Sequence, residues 1–217
     1  MEKKLLPEEI VQIRMDLTNK ASAVRRRAAK NIRKYNLVEL GEELYLSYLH
    51  ERKDKRTWET QMEMINALGK IRYTAVLPYL EEIIEKNKRL DAITSSAALA
   101  YIRITRQSNN DIKPVLHLME HGNLSVLVGV ADALVYDKMI PAKEEQELLI
   151  NLFNNMPLDR LYENRGCFDP REAFLAALSQ WDKNVTKEYI TKYLNDSDRD
   201  LRMYAEAALK GKCLKKE

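Results

Sequence analysis

One pattern of apolar and small residues occurs six times along this chain of 217 residues. Its template, Val24 to Ile32, has an apolar residue, small residues four and five positions later, and a large apolar residue eight positions later. These offsets lie on one side of an α-helix. The pattern starts at Val24, Thr60, Ile93, Val126, Pro170 and Leu201, at spacings of 36, 33, 33, 44 and 31 residues. An internal repeat with this spacing is typical of a chain built from stacked units.

A second amphipathic segment precedes each copy of the pattern, so the repeating unit is predicted to be a helical hairpin. Short polar stretches such as 120–123 and 195–198 separate the two helices. One hairpin cannot bury its apolar face alone, but six stacked hairpins form a continuous core. The predicted fold is all-α, an α-α superhelix (solenoid) in a single domain. Its six hairpins cover approximately residues 7–36, 37–73, 74–106, 109–139, 141–183 and 184–213.

Composition agrees with helices and excludes several other classes of protein. Only six Gly and six Pro leave little turn chemistry for a sheet. No stretch approaches the roughly 18 uncharged apolar residues of a membrane helix, and no signal-peptide segment is apparent. The two cysteines, Cys167 and Cys213, form no disulfide framework and no paired metal-ligand motif. These features predict a cytoplasmic protein without a membrane segment.

Three phrases carry a resemblance to a known family: Ala23–Ala29, Trp58–Gly69 and Asp200–Leu209. They resemble the second helix of HEAT repeats, in particular the short bacterial kind also found in phycobilisome lyases. In that family an Arg commonly follows the first apolar residue. Three repeats have Arg in this slot, namely Arg25, Arg171 and Arg202. The second, third and fourth repeats have other residues there, namely Gln61, Thr94 and Leu127. The resemblance covers roughly residues 7 to 212 and implies a solenoid, but it implies no single function.

Second helices line the concave side of such solenoids, which is where partners usually bind. Counted from the first residue of each copy of the pattern, the positions opposite the core side are offsets 3, 6, 10 and 13. They carry a lane of cations followed by a tyrosine: Arg27, Lys30, Lys34, Lys70, Arg103, Arg106 and Tyr136. We expect a groove that is basic in its N-terminal half and partly apolar at its centre. It would suit an acidic peptide, a protein partner or a nucleic-acid backbone. The alternative is that these are ordinary solubilising charges.

The fifth repeat is longer than the others by about eleven residues, between 155 and 170. Inserted loops in solenoids lie at the surface and often have a function. Tyr162 and Arg165 are the kind of side chains that an interaction loop uses. The alternative is an irregular connection between helices, and in either case Pro170 is expected to open the next helix.

Catalytic signatures are weak in this sequence. His117, Glu120 and His121 match the H-x-x-E-H pattern of inverted zinc proteases. They lie at the C-terminal end of a predicted helix, where the helix dipole alone favours His, and Leu118 and Met119 between them are expected core positions. There is no Gly-rich phosphate loop, no G-x-S-x-G and no CxxC. We therefore predict no metal, no cofactor and no enzymatic activity.

The predicted function is a non-enzymatic scaffold that binds a protein partner through its concave face, where the basic lane suits an acidic partner. The alternative is a nucleic-acid-binding protein that uses the basic N-terminal repeats. HEAT-like repeats also build the alkylpurine DNA glycosylases, which hold damaged DNA with concave aromatic side chains and an Asp. Trp58 and Trp181 do not fall in one lane with an acid between them, so the sequence lacks that arrangement.

Overall fold

The regular structure of the chain is helical throughout the described residues. A computed structural model describes residues 5–156 and 169–214, in which there are twelve α-helices, three short 3-10 turns and no strand. The α-helices are α1 Pro7–Asp16, α2 Ser22–Tyr35, α3 Gly41–Glu51, α4 Trp58–Lys70, α5 Leu77–Lys86, α6 Ala92–Thr105, α7 Lys113–His121, α8 Leu124–Tyr136, α9 Lys143–Asn155, α10 Pro170–Leu178, α11 Lys183–Lys192 and α12 Arg199–Leu209. The predicted all-α class is confirmed, and Pro170 does open a helix.

The helices form two compact units. The first holds the described residues up to Lys86 together with Ala92–Ile104, and the second holds Asn87–Asp91 and the described residues from Thr105 onward. Each of the six copies of the repeated sequence pattern, which we call frames, begins inside an even-numbered helix, from α2 to α12. No helix in the described ranges is both long and apolar enough to cross a membrane.

In the first unit, α2 packs against α1, α3 and α4, and α4 packs in turn against α3. Alanines make the close approach possible, because Ala28 and Ala29 of α2 and Ala67 of α4 are fully buried. On its other side α4 lies against α6, where Gly69 meets Ala100. The apolar stripe that repeats along the sequence is therefore the buried stripe of the first unit.

The second unit has an aromatic core where α9, α10 and α11 meet. Phe153 and Phe174 are stacked with ring centroids 3.8 Å apart, and Trp181 and Tyr189 meet Phe174 edge-on. The Trp181 indole N–H donates to the carbonyl oxygen of Met139 at 2.8 Å, so its only polar atom is satisfied. In this unit α8 packs against α7 and α10, and α10 packs against α11 and α12.

Four of the second helices end in the same way. Asn36, Arg72, Lys138 and Gly211, which follow α2, α4, α8 and α12, all have left-handed backbone conformations with φ between 51° and 68°. After each of them, an N–H donates to the carbonyl five residues earlier, as from Leu37 to Ile32 at 3.1 Å and from Met139 to Leu134 at 3.0 Å. This is the Schellman motif, which satisfies the last carbonyls of a helix and turns the chain.

The slot that commonly carries Arg in HEAT repeats holds the loop in front of the helix. Arg25 donates from Nη1 to the carbonyls of Asn19 and Lys20, at 2.5 and 3.0 Å. Arg202 makes the same pair of bonds, at 2.6 and 3.1 Å, to the carbonyls six and five residues before it. Gln61 donates to the carbonyl of Asp54. The slot thus has a structural role in both units.

Candidate binding surface

One group of exposed cations of the first unit lies on one side of α2. Arg27, Lys30 and Lys34 follow one another at helical spacing, and Arg33 lies beside them. Lys70 occupies the equivalent position on α4. The two helices run side by side in the same direction, because Ser22 contacts Thr60 near their starts and Arg33 contacts Glu63 further along. We name the set of Arg27, Lys30, Arg33, Lys34 and Lys70 the basic face.

Carboxylates from neighbouring elements neutralise part of this charge. Arg27 pairs with Asp16 at 3.6 Å. Lys30 and Arg33 both approach the carboxylate of Glu63, at 3.9 and 3.1 Å. These acids belong to α1 and α4, whereas α2 itself contains no Asp or Glu, so the sequence of α2 is more basic than the folded surface around it.

Lys34 and Lys70 differ from the other members of the basic face. Both are exposed, and neither forms an ion pair with a described carboxylate. The Lys34 ammonium lies over the ring of Tyr35, 5.1 Å from its centroid, where the ring quadrupole attracts it. Each lysine stands in the last turn of its helix, where the helix dipole favours a positive charge. They are the charges of this face that remain for a partner.

Polar side chains are buried beneath the basic face, which the sequence did not predict. Glu63, Asn66 and Ser96 occupy offsets expected to be open, yet they are only 8%, 9% and 6% exposed. Asn66 Nδ2 donates to Ser96 Oγ at 3.3 Å. Lys30 and Arg33 extend over Glu63, and the close contact of α4 with α6 shields the side chains between these helices.

Two oxygens of this buried set lack hydrogen-bond donors within the described structure. Oε2 of Glu63 lies in an ion pair with Arg33, but the geometry is not that of a hydrogen bond, and Oδ1 of Asn66 also has no donor. Most buried oxygens in proteins accept at least one hydrogen bond. The two acceptors stand three residues apart on one helix face, so a single ligand could satisfy both.

Two arginines of the predicted lane are not open charges. Arg103, in the first unit, is 8% exposed. Arg106, in the second unit, forms an ion pair with Asp137 at 3.0 Å, and both side chains are largely buried. The expectation that they extend an open basic lane is therefore wrong. Helical periodicity places both residues on the side of the helix away from the core of its own hairpin. It contains no information about how closely neighbouring elements cover that side.

Tyr136 lies on the second unit, half-covered by its neighbours. Burial raises the pKa of its hydroxyl, and the negative charge of Asp132, one turn earlier on α8, raises it further. Burial also raises the pKa of Tyr204 on α12 to about 12, with further contributions from Glu172 and Tyr136. Tyrosines and carboxylates of α8, α10 and α12 are thus close together in this unit. Tyr162 and Arg165 lie outside the described residues.

Two residues of the H-x-x-E-H pattern have described side chains. His117 and Glu120 are exposed at the end of α7. No group of three His, Cys, Asp or Glu that could hold a metal ion occurs among the described residues.

No protein-family model and no curated protein sequence matches the chain. The resemblance to HEAT repeats therefore rests on the repeated pattern of this sequence alone.

Proposed function

We propose that this protein is a non-enzymatic scaffold, an α-solenoid of HEAT type, that binds a protein partner carrying an acidic segment through the basic face. The pairing of second helices supports the solenoid: α2 with α4 and α4 with α6 in the first unit, and α8 with α10 and α10 with α12 in the second. Stacking of equivalent helices from successive repeats is the architecture of solenoids.

One observation carries the proposed binding function. Unpaired cations, Lys34 and Lys70, occur on the same face as two buried acceptors without donors, on Glu63 and Asn66. A polypeptide offers carboxylates and amide N–H groups together, so it can satisfy both kinds of group. A nucleic-acid backbone offers phosphates to the lysines but no N–H donors for the acceptors.

The flexible side chains above the acceptors allow such a partner to enter. Lys30 and Arg33 are half-exposed and reach Glu63 only through long stems. When they turn toward carboxylates of a partner, the Glu63 carboxylate beneath them becomes accessible to its amide groups. We expect an acidic segment with amide side chains, Asn or Gln, to bind better than an acidic segment alone.

Charge reversal at Lys34 and Lys70 tests this function. The probe is a fluorescein-labelled peptide of alternating Glu and Gln, and the measurement is its fluorescence anisotropy. We expect the Lys34→Glu, Lys70→Glu double variant to bind it about tenfold more weakly, or worse, because like charges then face each other. The matched control, Lys143→Glu with Lys183→Glu, changes the net charge equally on exposed lysines of the second unit.

The control variant should bind like the unmodified protein. Equal losses in both double variants would reduce the effect to net charge and contradict the proposal. Tighter binding of a DNA duplex than of the peptide, abolished by the same Lys34 and Lys70 substitutions, would assign the basic face to nucleic acid instead.

A further inference from the structure

A second cationic surface of the first unit lies at the opposite ends of α2 and α4. The loops α1–α2 and α3–α4 present Lys20, Lys53, Lys55 and Arg56 together with Trp58, the first residue of α4. We name these five residues the loop edge. The length of α2, about 20 Å for fourteen residues, separates the loop edge from Lys34.

A buried polar network joins the two loops beneath this surface. Glu51 accepts from Ser22 Oγ and from Arg25 Nε, both at 2.5 Å. Ser22 Oγ also meets Thr60 Oγ1 at 2.8 Å, and Arg25 extends on to the loop carbonyls of Asn19 and Lys20. Because α2, α3 and α4 all contribute to this network, the two loops are held in a fixed relation and form one platform.

The acids near the loop edge are already engaged with arginines. Arg56 forms hydrogen bonds from Nε and Nη2 to Asp54, which lower the pKa of that carboxyl to about 2. Glu59 forms an ion pair with Arg26. By contrast, Lys20, Lys53 and Lys55 are exposed and have no ion pair with a described carboxylate. Three positive charges of the loop edge therefore remain for an anionic ligand.

Trp58 is 47% exposed and is the one large apolar side chain among the residues of the loop edge. A protein interface surrounds an anchoring aromatic residue with further contacts that exclude water, and stable attachment to a bilayer takes more than one anchor. A single indole among lysines fits neither well. It fits an unstacked nucleobase flanked by phosphates, because every base has a face that stacks on an aromatic ring.

We propose that the loop edge binds single-stranded nucleic acid, with Trp58 stacking on a base and Lys20, Lys53 and Lys55 contacting the adjacent phosphates. This surface and its ligand are distinct from the acidic partner of the basic face. Because stacking needs a base that is free of its own stack, single strands bind in preference to duplex. The contacts are independent of base identity.

Tryptophan fluorescence tests the stacking directly. The chain has two tryptophans, and the other one, Trp181, is 4% exposed in the second unit. Titration with an oligodeoxythymidine of about 12 nucleotides should quench the fluorescence of Trp58 and leave that of Trp181. Trp58→Ala, at an exposed position, should keep the helical circular dichroism and weaken binding of the labelled oligonucleotide about tenfold or more.

Salt dependence tests the phosphate contacts. Each contact with a single strand contributes about −0.7 to the slope of log K against log salt, so three lysines give a slope of about −2. Lys53→Ala with Lys55→Ala should flatten this slope by about 1.4. The Lys34→Glu, Lys70→Glu variant should still show the quenching, which separates the loop edge from the basic face.

Two results would overturn the inference. One is binding of the oligonucleotide by Trp58→Ala with unchanged affinity. The other is absence of quenching by the oligonucleotide together with a blue shift of Trp58 on vesicles of phosphatidylcholine and phosphatidylglycerol, which would assign the edge to a membrane surface.

Discussion

Gly69 of α4 lies directly against Ala100 of α6. A Cβ atom built on Gly69 would stand 2.6 Å from both Cα and Cβ of Ala100, a distance that no side chain can adopt. Since one of the conflicting atoms belongs to the backbone of α6, a change of rotamer cannot relieve the conflict. The glycine sets how closely these two second helices approach.

Gly69→Ala should therefore destabilise the protein, against the trend for helices. At an exposed helical position the same change stabilises by about 1 kcal/mol. Here overpacking costs about 1–3 kcal/mol and α6 must move away. Urea unfolding followed by circular dichroism measures the free energy. A gain in stability would show that α4 and α6 are not in contact at this point.

Arg25 is expected to contribute more to the free energy of unfolding than Arg202, although both form the same hydrogen bonds to the loop that precedes their helix. Arg25 also pairs with Glu51, whose side chain is 1% exposed, at 2.5 Å. Arg25→Met leaves that carboxylate buried without its cation, which costs about 3–5 kcal/mol. Arg202→Met removes only the hydrogen bonds to two carbonyls and should cost about 1–2 kcal/mol.

The same urea measurement on the two variants compares them directly. Equal losses of stability would mean that the ion pair between Arg25 and Glu51 adds nothing to the hydrogen bonds that both arginines make to loop carbonyls. Glu51→Gln with Arg25→Met removes both charges and should recover part of the loss, because no uncompensated carboxylate remains.

The periodicity of the sequence was sufficient to place the helices. Every frame start from Val24 to Leu201 falls inside a second helix, and Pro170 opens α10. The reason is that the positions of apolar and small residues depend on the helix that contains them, which is local information. The loop-holding slot was also visible, as an Arg at a fixed offset, although only the structure shows what it holds.

The face of the helices could not be predicted with equal success. Glu63, Asn66 and Arg103 stand at offsets that point away from the core of their own hairpin, yet they are buried. The burial of Glu63 and Asn66 depends on neighbouring repeats: Arg33 reaches across from α2, and α6 approaches α4 closely because residue 69 is glycine. Angles around one helix contain no information about the distance to the next.

Tyr48 should make the stability sensitive to alkaline pH. Burial raises the pKa of its hydroxyl to about 12, against an ordinary value of about 10. The folded state thus favours the neutral phenol, and this contribution is complete below pH 10 and is lost as pH rises toward 12. Between pH 7 and 12 the unmodified protein should therefore lose about 2 kcal/mol more of its free energy of unfolding than the Tyr48→Phe variant loses.

Unfolding free energies measured from pH 7 to 12 show whether this holds. Below about pH 9 the difference between the two proteins should not vary with pH, since the hydroxyl is neutral in both states there. Parallel curves up to pH 12 would mean that Tyr48 ionises as readily in the folded chain as in the unfolded one.

Lys138→Gly should stabilise the end of α8. Lys138 has a φ of 51°, a left-handed conformation that costs a residue with a Cβ about 1 kcal/mol and costs glycine almost nothing. Gly211 already occupies the equivalent cap after α12. The bond from Met139 N–H to the Leu134 carbonyl uses backbone atoms only, so it survives the substitution.

Lys138→Ala is the matched control, because it removes the same side chain but keeps the Cβ, and its stability should be unchanged. If glycine and alanine gave the same free energy of unfolding, the gain would come from loss of the lysine side chain and not from relief of the left-handed backbone.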